Sequence, residues 1–302
     1  MSEELLAPEV VADYKARAIS QPLVEDLYTA DPSAHVFDGK LYIYPSHDID
    51  AGAAFDDDGG HFRMEDYHVL SMETVGGPVT VHDVALHVKD VPWAESQMWA
   101  PDAAHKNGKY YLFFPAKRPD GIFQVGVAIG DSPIGPFTPE PEAIKGSYSI
   151  DPAVFEDNDG EYYLYVGGLW GGQLQFYRNH QYDPNNTEPA DDEPALGPTV
   201  GRLSDDLTQY AEELRQIVIL DENGEPIKAG DHDRRFFEAP WVHKYNGTYY
   251  LSYSTGNTHF LCYATSDNPY GPFTYRGRIL EPVVGWTTHQ SICEYQGQWY
   301  LF

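Results

Sequence analysis

Three acidic residues in this chain each stand at the head of an apolar, aromatic-rich run: Asp31 in ADPSAHVFDGKLYIYPS, Asp151 in IDPAVFEDNDGEYYLYVGG and Glu238 in EAPWVHKYNGTYYLSYSTG. A further run, THQSICEYQGQWYLF, carries His289 near its start. Carboxylates held together raise one another's pKa, so a trio is costly to assemble unless its chemistry uses it. That chemistry is acid–base: one carboxyl keeps a proton to deliver, another stays ionised to accept one. Taken singly, each residue has a plainer reading. Asp-Pro at a strand edge is a common turn starter, and a lone histidine is more often a hydrogen-bonded filler than a ligand. The argument for a site therefore rests on whether the fold brings the four together.

With APDAAHKNGKYYLFFPA, the runs number five and share one grammar: a short apolar strand, a turn containing Asp-Gly, Asn-Gly or Gln-Gly, then an aromatic strand. Such turns supply the positive φ angles of tight hairpins. The turn glycines are Gly39, Gly108, Gly160, Gly247 and Gly297, separated by 69, 52, 87 and 50 residues. That spacing leaves room for two more strands per unit, for which FQVGVAIG and FLCYATS are candidates. Five four-stranded units predict an all-β, five-bladed β-propeller, with a long β-sandwich as the rival architecture. Helical periodicity is confined to residues 3–19 and a short turn near DDLTQYAEEL, and the Pro- and Asp-rich DPNNTEPADDEPALGPT reads as a surface excursion of the third blade.

In a propeller the innermost strands line a channel, and equivalent positions meet at its mouth. Aligned on their glycines, the runs place Asp31, Ala100, Asp151, Ala239 and His289 in one column, and Ala30, Trp99, Ile150, Glu238 and Thr288 one step earlier. The prolines after Asp31 and Asp151 are expected to hold both aspartates extended. The chain reaches only the second strand of the fifth blade, so that blade is expected to be incomplete. The N-terminal segment 1–26, through QPLVEDLYT, is expected to close the ring, and residues 27–302 form a single propeller domain.

Forty-seven acidic against nineteen basic residues give a net charge of −28, which repels phosphate backbones and anionic lipid. Neither nucleic acid nor membrane is an expected partner. Cys262 and Cys293 are the whole cysteine complement, which suits a reducing compartment and excludes a disulfide scaffold. The first residues lack a basic region followed by an apolar one, and the protein is expected to be cytoplasmic.

The ordered trio with its flanks, ADPSAHVFDGKLYIYPSHD, SYSIDPAVFEDNDGEYYLY and RRFFEAPWVHKYNGTYYLSYS, resembles the catalytic signature of glycoside hydrolase family 43. The resemblance runs from about residue 27 to the end, and DVPWAESQMWAPDAAHKNGKYYLFFPAK and GGLWGGQLQFY are similar to its metal-activated β-xylosidase branch. It implies a five-bladed propeller and an inverting hydrolase that releases xylose from the non-reducing end of β-1,4-xylo-oligosaccharides. Asp31 would be general base, Asp151 would tune and orient the acid, and Glu238 would be general acid. Inversion needs the two working carboxyls roughly 6.5–9.5 Å apart, with room for a water, and a negative Asp151 favours the protonated form of Glu238. In that branch the histidine at the place of His289 holds calcium together with waters. Trp99 and Trp170 would wall the sugar pocket, with His47 a further sugar contact. The family's substrate-contacting arginine lies beyond the last residue, and no residue here can be assigned to it. Small xylo- or arabino-oligosaccharides are the implied substrates. α-L-Arabinofuranosidase or bifunctional activity, and a non-catalytic sugar-binding propeller, are the alternatives. A retaining fructan- or sucrose-cleaving enzyme would carry Asn-Asp-Pro-Asn-Gly and Glu-Cys-Pro motifs, which are absent. Oligomeric state is not readable from the sequence.

Overall fold

Four of the five turn glycines close two-residue hairpins in which both central residues have positive φ: Asp38-Gly39, Asn107-Gly108, Asn246-Gly247 and Gln296-Gly297. This left-handed pair matches the twist of the flanking strands, which is why Asn-Gly and Asp-Gly mark such turns. The computed structural model describes residues 8–18, 20–50, 52, 54, 56, 58–282 and 288–302. The hairpins are Thr29–Phe37 with Lys40–His47, Asp102–Lys106 with Lys109–Lys117, Ala153–Glu156 with Tyr162–Val166, Glu238–Tyr245 with Thr248–Ser254, and Ile292–Tyr295 with Gln298–Leu301.

The first four hairpins are the inner halves of antiparallel blades. Leu70–Met72 and Thr80–Val81 complete the first, and Phe123–Gly130 with Thr138–Pro139 the second. Thr199–Arg202 and Arg215–Gln216 complete the third. Leu261–Ser266 and Phe273–Leu280 complete the fourth, which Ile219–Leu220 joins as a parallel edge strand. The molecule is thus an all-β propeller. The final hairpin sits between the fourth blade and the first: Trp241 Nε1 donates to the Ile292 carbonyl at 3.0 Å, and the Ala34 amide donates to Ser291 Oγ at 3.0 Å.

The aromatic strands read as unbroken apolar runs because each faces a neighbouring blade on both sides. Along KYYLFFPA, Tyr110, Leu112 and Phe114 pack with Tyr44 of the first blade, while Tyr111 and Phe113 pack with Tyr162 and Leu164 of the third. Tyr163 and Tyr165 in turn meet Tyr249 and Leu251 of the fourth. The wedges between blades are the core, and each fully buried side chain there contributes roughly 1.5–3 kcal/mol.

A helix spans Pro8–Arg17. Residues 20–28 form no strand, but Leu23 and Val24 pack on Leu41, Ile43 and Tyr295, at the junction of the first blade and the final hairpin. The Pro- and Asp-rich excursion joins Tyr162–Val166 to Thr199–Arg202, within the third blade.

Candidate active site

Asp31, Asp151 and Ala239 all lie in the left-handed region, with φ of 52°, 55° and 57°, and each precedes a proline. The extended conformation expected for the two aspartates is therefore corrected. In the first and fourth blades the cause is visible in the pairing. Ala30 opposes Ser46 and Glu238 opposes Ser254, and the register then slips, skipping Asp31-Pro32 in one strand and Ala239-Pro240 in the other. A bulge left at the strand's start kinks the chain and re-aims the side chains beside it. The right-handed region is closed to a residue before proline, and the kink is met by a left-handed turn that costs a non-glycine residue on the order of 1–2 kcal/mol. The bulge is the same device in both blades. In the first it presents Asp31, and in the fourth it presents Glu238 and leaves Ala239 on the turn.

One imidazole joins the aspartates. His289 Nδ1 lies 3.3 Å from Asp31 Oδ1 and 4.0 Å from Asp151 Oδ2. Asp31 Oδ2 accepts the Ser46 hydroxyl at 2.6 Å. Burial pushes the Asp31 carboxyl up, but the charge and hydrogen bond of His289, with Ser46, outweigh it and hold the group below the usual carboxylate range. Burial drives Asp151 the other way, up to about 6, with the charge of Asp31 adding to the rise and that of His289 opposing it. Burial lowers His289, yet Asp151, Asp31 and Glu238 together lift it to about 9. At neutral pH the centre therefore holds an ionised Asp31 beside a histidinium.

Asp151 is also tied to the acid-bearing strand, because its Oδ2 accepts the Ala239 amide at 3.0 Å. From the other side Gln290 Nε2 donates to the Ala239 carbonyl at 3.1 Å and to Ser252 Oγ at 3.0 Å. The peptide next to Glu238 is thus gripped by the third blade and by the final hairpin. Gly168 closes the remaining side, since a Cβ there would lie 2.6 Å from Ile150 and 3.3 Å from Glu238 Cβ.

Trp99 is half-buried, with Nε1 donating to the Phe62 carbonyl at 2.8 Å and its ring against Gly59, where a Cβ would come within 2.6 Å. Trp170 stands edge-on to Phe237 at 5.0 Å and donates to Glu188 at 2.6 Å. Phe237 precedes Glu238, so this tryptophan borders the acid's backbone. His47 ends the second strand of the first blade and hydrogen-bonds Asp66 at 2.7 Å.

Four residues at the centre escape the column argument because they lie outside the inner strands' first positions. Ser46 and Tyr67 come from neighbouring strands. Burial, then the charges of Asp31 and Asp151, hold the Tyr67 phenol protonated, and its hydroxyl donates to the Trp99 carbonyl at 2.6 Å. Asp48 is pushed up to about 6 by burial and by Asp31, against the pull of His47. Arg235 is 2% exposed, faces Glu188 at 3.5 Å and Phe237 at 5.3 Å, and its three guanidinium nitrogens have no hydrogen-bond partner. The RRFFE sequence carried that signal: an arginine three residues before an acid at a strand's start.

The family model for glycosyl hydrolases family 43 matches residues 21–302. Xylosidase/arabinosidase 43A of Humicola insolens is 62% identical over 290 residues, covering 93% of this chain and 89% of the relative. A solved β-xylosidase/α-arabinofuranosidase from a compost metagenome, described as a calcium-free form in complex with xylotriose, superposes with a TM-score of 0.92 at 64% identity, over 94% of this chain and 87% of that one. A Xanthomonas citri enzyme complexed with xylotriose gives 0.92 at 63% identity, over 96% and 86%. A match over nearly the whole propeller, with the three acids on bulged and turned strand heads around one histidine, places the chain in glycosyl hydrolase family 43.

Proposed function

We propose that this chain is an inverting exo-β-xylosidase that releases xylose from the non-reducing end of β-1,4-xylo-oligosaccharides, with α-L-arabinofuranosidase activity in the same site. The observation that carries the reading is the split between the two aspartates: one held ionised beside His289, the other lifted by burial and bonded to the backbone of the acid. Asp31 takes a proton from the water that attacks the anomeric carbon. Glu238 gives its proton to the departing oxygen as the glycosidic bond breaks, and the water's oxygen ends on the opposite face of the ring. Asp151 fixes the peptide that carries Glu238. Trp99 and Trp170 wall the sugar, and His47 borders it. The xylosidase and arabinosidase relatives, and the xylotriose held by two neighbours, support this substrate class.

NMR of the first-formed sugar tests it directly, with α-xylose expected from a β-xyloside and early β-anomer incompatible with Asp31 as base. Glu238→Ala should lose far less activity on an activated aryl xyloside than on xylobiose, and equal losses would remove Glu238 as the acid.

We place calcium at His289. Nδ1 is turned to Asp31 and Asp151, which leaves Nε2 as one protein ligand in the carboxylate–histidine–metal pattern, with waters supplying the oxygens calcium requires. Beside it, the buried Oε1 of Gln290 has no hydrogen-bond partner, an acceptor that a cation's waters can satisfy. When bound, the ion supplies positive charge that keeps Asp31 ionised. Because the ion displaces a proton whose pKa is about 9, calcium affinity should weaken about tenfold per pH unit below that value, read by calorimetry at several pH values. A pH-independent affinity would move the ion away from His289.

We also read the final hairpin as the inner half of a fifth blade, with the N-terminal segment 1–26 closing the ring, where Leu23 and Val24 pack on the first blade and Tyr295, and 27–302 forming the catalytic domain. Its seat between the fourth and first blades supports that reading. A cytoplasmic setting, where imported oligosaccharides are the substrates, accords with the expected activity on short chains.

A further inference from the structure

His47, Asp66 and His68 form a second polar cluster, one residue along from Ser46, with ligating atoms all within 4.8 Å of one another. Asp66 and His68 alternate with buried Tyr67 on extended chain and so share a side. His47 comes to them from the end of the neighbouring strand. Only 17–18% of each side chain is exposed. His68 Nδ1 lies 2.8 Å from the His82 carbonyl. A carbonyl only accepts, so Nδ1 carries the proton and donates. His68 then points Nε2 at Asp66 Oδ1, 3.8 Å away. At that distance the two atoms make no direct hydrogen bond, and a cation between them would engage both. His47 Nδ1 meets the same oxygen at 2.7 Å, so two imidazole nitrogens and one carboxylate oxygen converge on one small volume.

We propose that His47, Asp66 and His68 bind a divalent transition metal of the zinc or cobalt class, at a site separate from His289. Donors about 2.0–2.1 Å from a tetrahedral zinc stand about 3.3 Å apart, and the two observed edges, 2.7 and 3.8 Å, bracket that value. The third edge lies within 4.8 Å. Two imidazoles select such a metal over calcium, which takes oxygen ligands. The His82 carbonyl acts as the outer partner that fixes the ligand tautomer of His68. The ion would pin the second strand of the first blade to the Asp66–His68 segment.

The test uses the full chain after chelation, titrated with cobalt(II) alone and followed by its visible absorption and by calorimetry. One equivalent should give the intense bands of tetrahedral coordination and raise the melting temperature. Asp66→Asn and His68→Ala should each abolish the bands, and His289→Ala should keep them. On the unmodified protein, which needs no variant to fold, excess calcium should leave the bands in place. No stoichiometric cobalt binding, displacement of cobalt by calcium, or bands that survive both cluster variants would each overturn the site.

Discussion

Asp151 and Asp48 are both lifted to about 6, while Asp31 is held below its ordinary range. Catalysis by an ionised pair then has its acidic limb at the higher of the two required values, so kcat/KM should fall as pH drops through about 6, where Asp151 takes up a proton. The residual activity of Asp151→Asn separates the two candidates. With that group no longer titrating, the limb should move down to the lowered range of Asp31; a limb that stays near 6 assigns it to Asp48. Ser46→Ala acts in the opposite sense, since loss of the hydroxyl bond raises Asp31 and reduces activity most at acidic pH. Asp31→Ala should cost on the order of 10²–10⁴ in kcat at every pH, the usual worth of a positioned general base. The acids themselves were legible because each heads a repeated run. Their backbone was not. The Asp-Pro pairs suggested extended residues, whereas the bulge that makes the left-handed turn appears only once strand pairing is known.

The bulges and the glycines around them set the acids' positions, and they are where small substitutions should act out of proportion to size. Gly168→Ala places a methyl 2.6 Å from Ile150 and 3.3 Å from Glu238 Cβ, so the acid must shift. The expected result is a fall in kcat with KM little changed, and an unaltered kcat would mean that the neighbours give way freely. Leu112→Ala, fully buried in the wedge between the first two blades, should instead cost about 2–5 kcal/mol of stability and leave pH dependence untouched. Hairpin positions were readable because Asn-Gly and Asp-Gly have a local cause. FQVGVAIG and FLCYATS likewise fall on Phe123–Gly130 and Leu261–Ser266. The short strands Asp66–Tyr67 and Leu86–His87 were not readable, because two residues carry no periodicity and their pairing depends on the blades they bridge. The parallel edge of Ile219–Leu220 on the fourth blade was hidden for the same reason.

At the scale of the whole molecule, a net charge of −28 means that the folded state carries appreciable self-repulsion. Salt shortens the reach of that field to roughly 10 Å at 0.1 M, so the melting temperature should rise between very low and moderate ionic strength; a flat response would show that the acidic surface is already locally compensated. The mouth of one channel also limits what can enter. Xylobiose should be cleaved much faster than xylan, and a rapid early loss of xylan viscosity would contradict an exo-acting site. The second blade lends no acid to that mouth, yet its buried Asp102 touches both neighbours. Oδ1 accepts from Ser33 and, at 2.5 Å, from His35 of the first blade, while Oδ2 accepts the Val154 amide of the third at 2.5 Å. The blade without catalytic chemistry is therefore the gauge block of the machine: it fixes the gap between the blades that carry Asp31 and Asp151. Asp102→Asn would turn an amide NH₂ against the Val154 N–H or, flipped, force Ser33 and His35 to accept where they now donate, and either choice detunes that gap. The mark of such an alignment error is a lower turnover number at ordinary substrate affinity, produced by a residue that never meets the sugar.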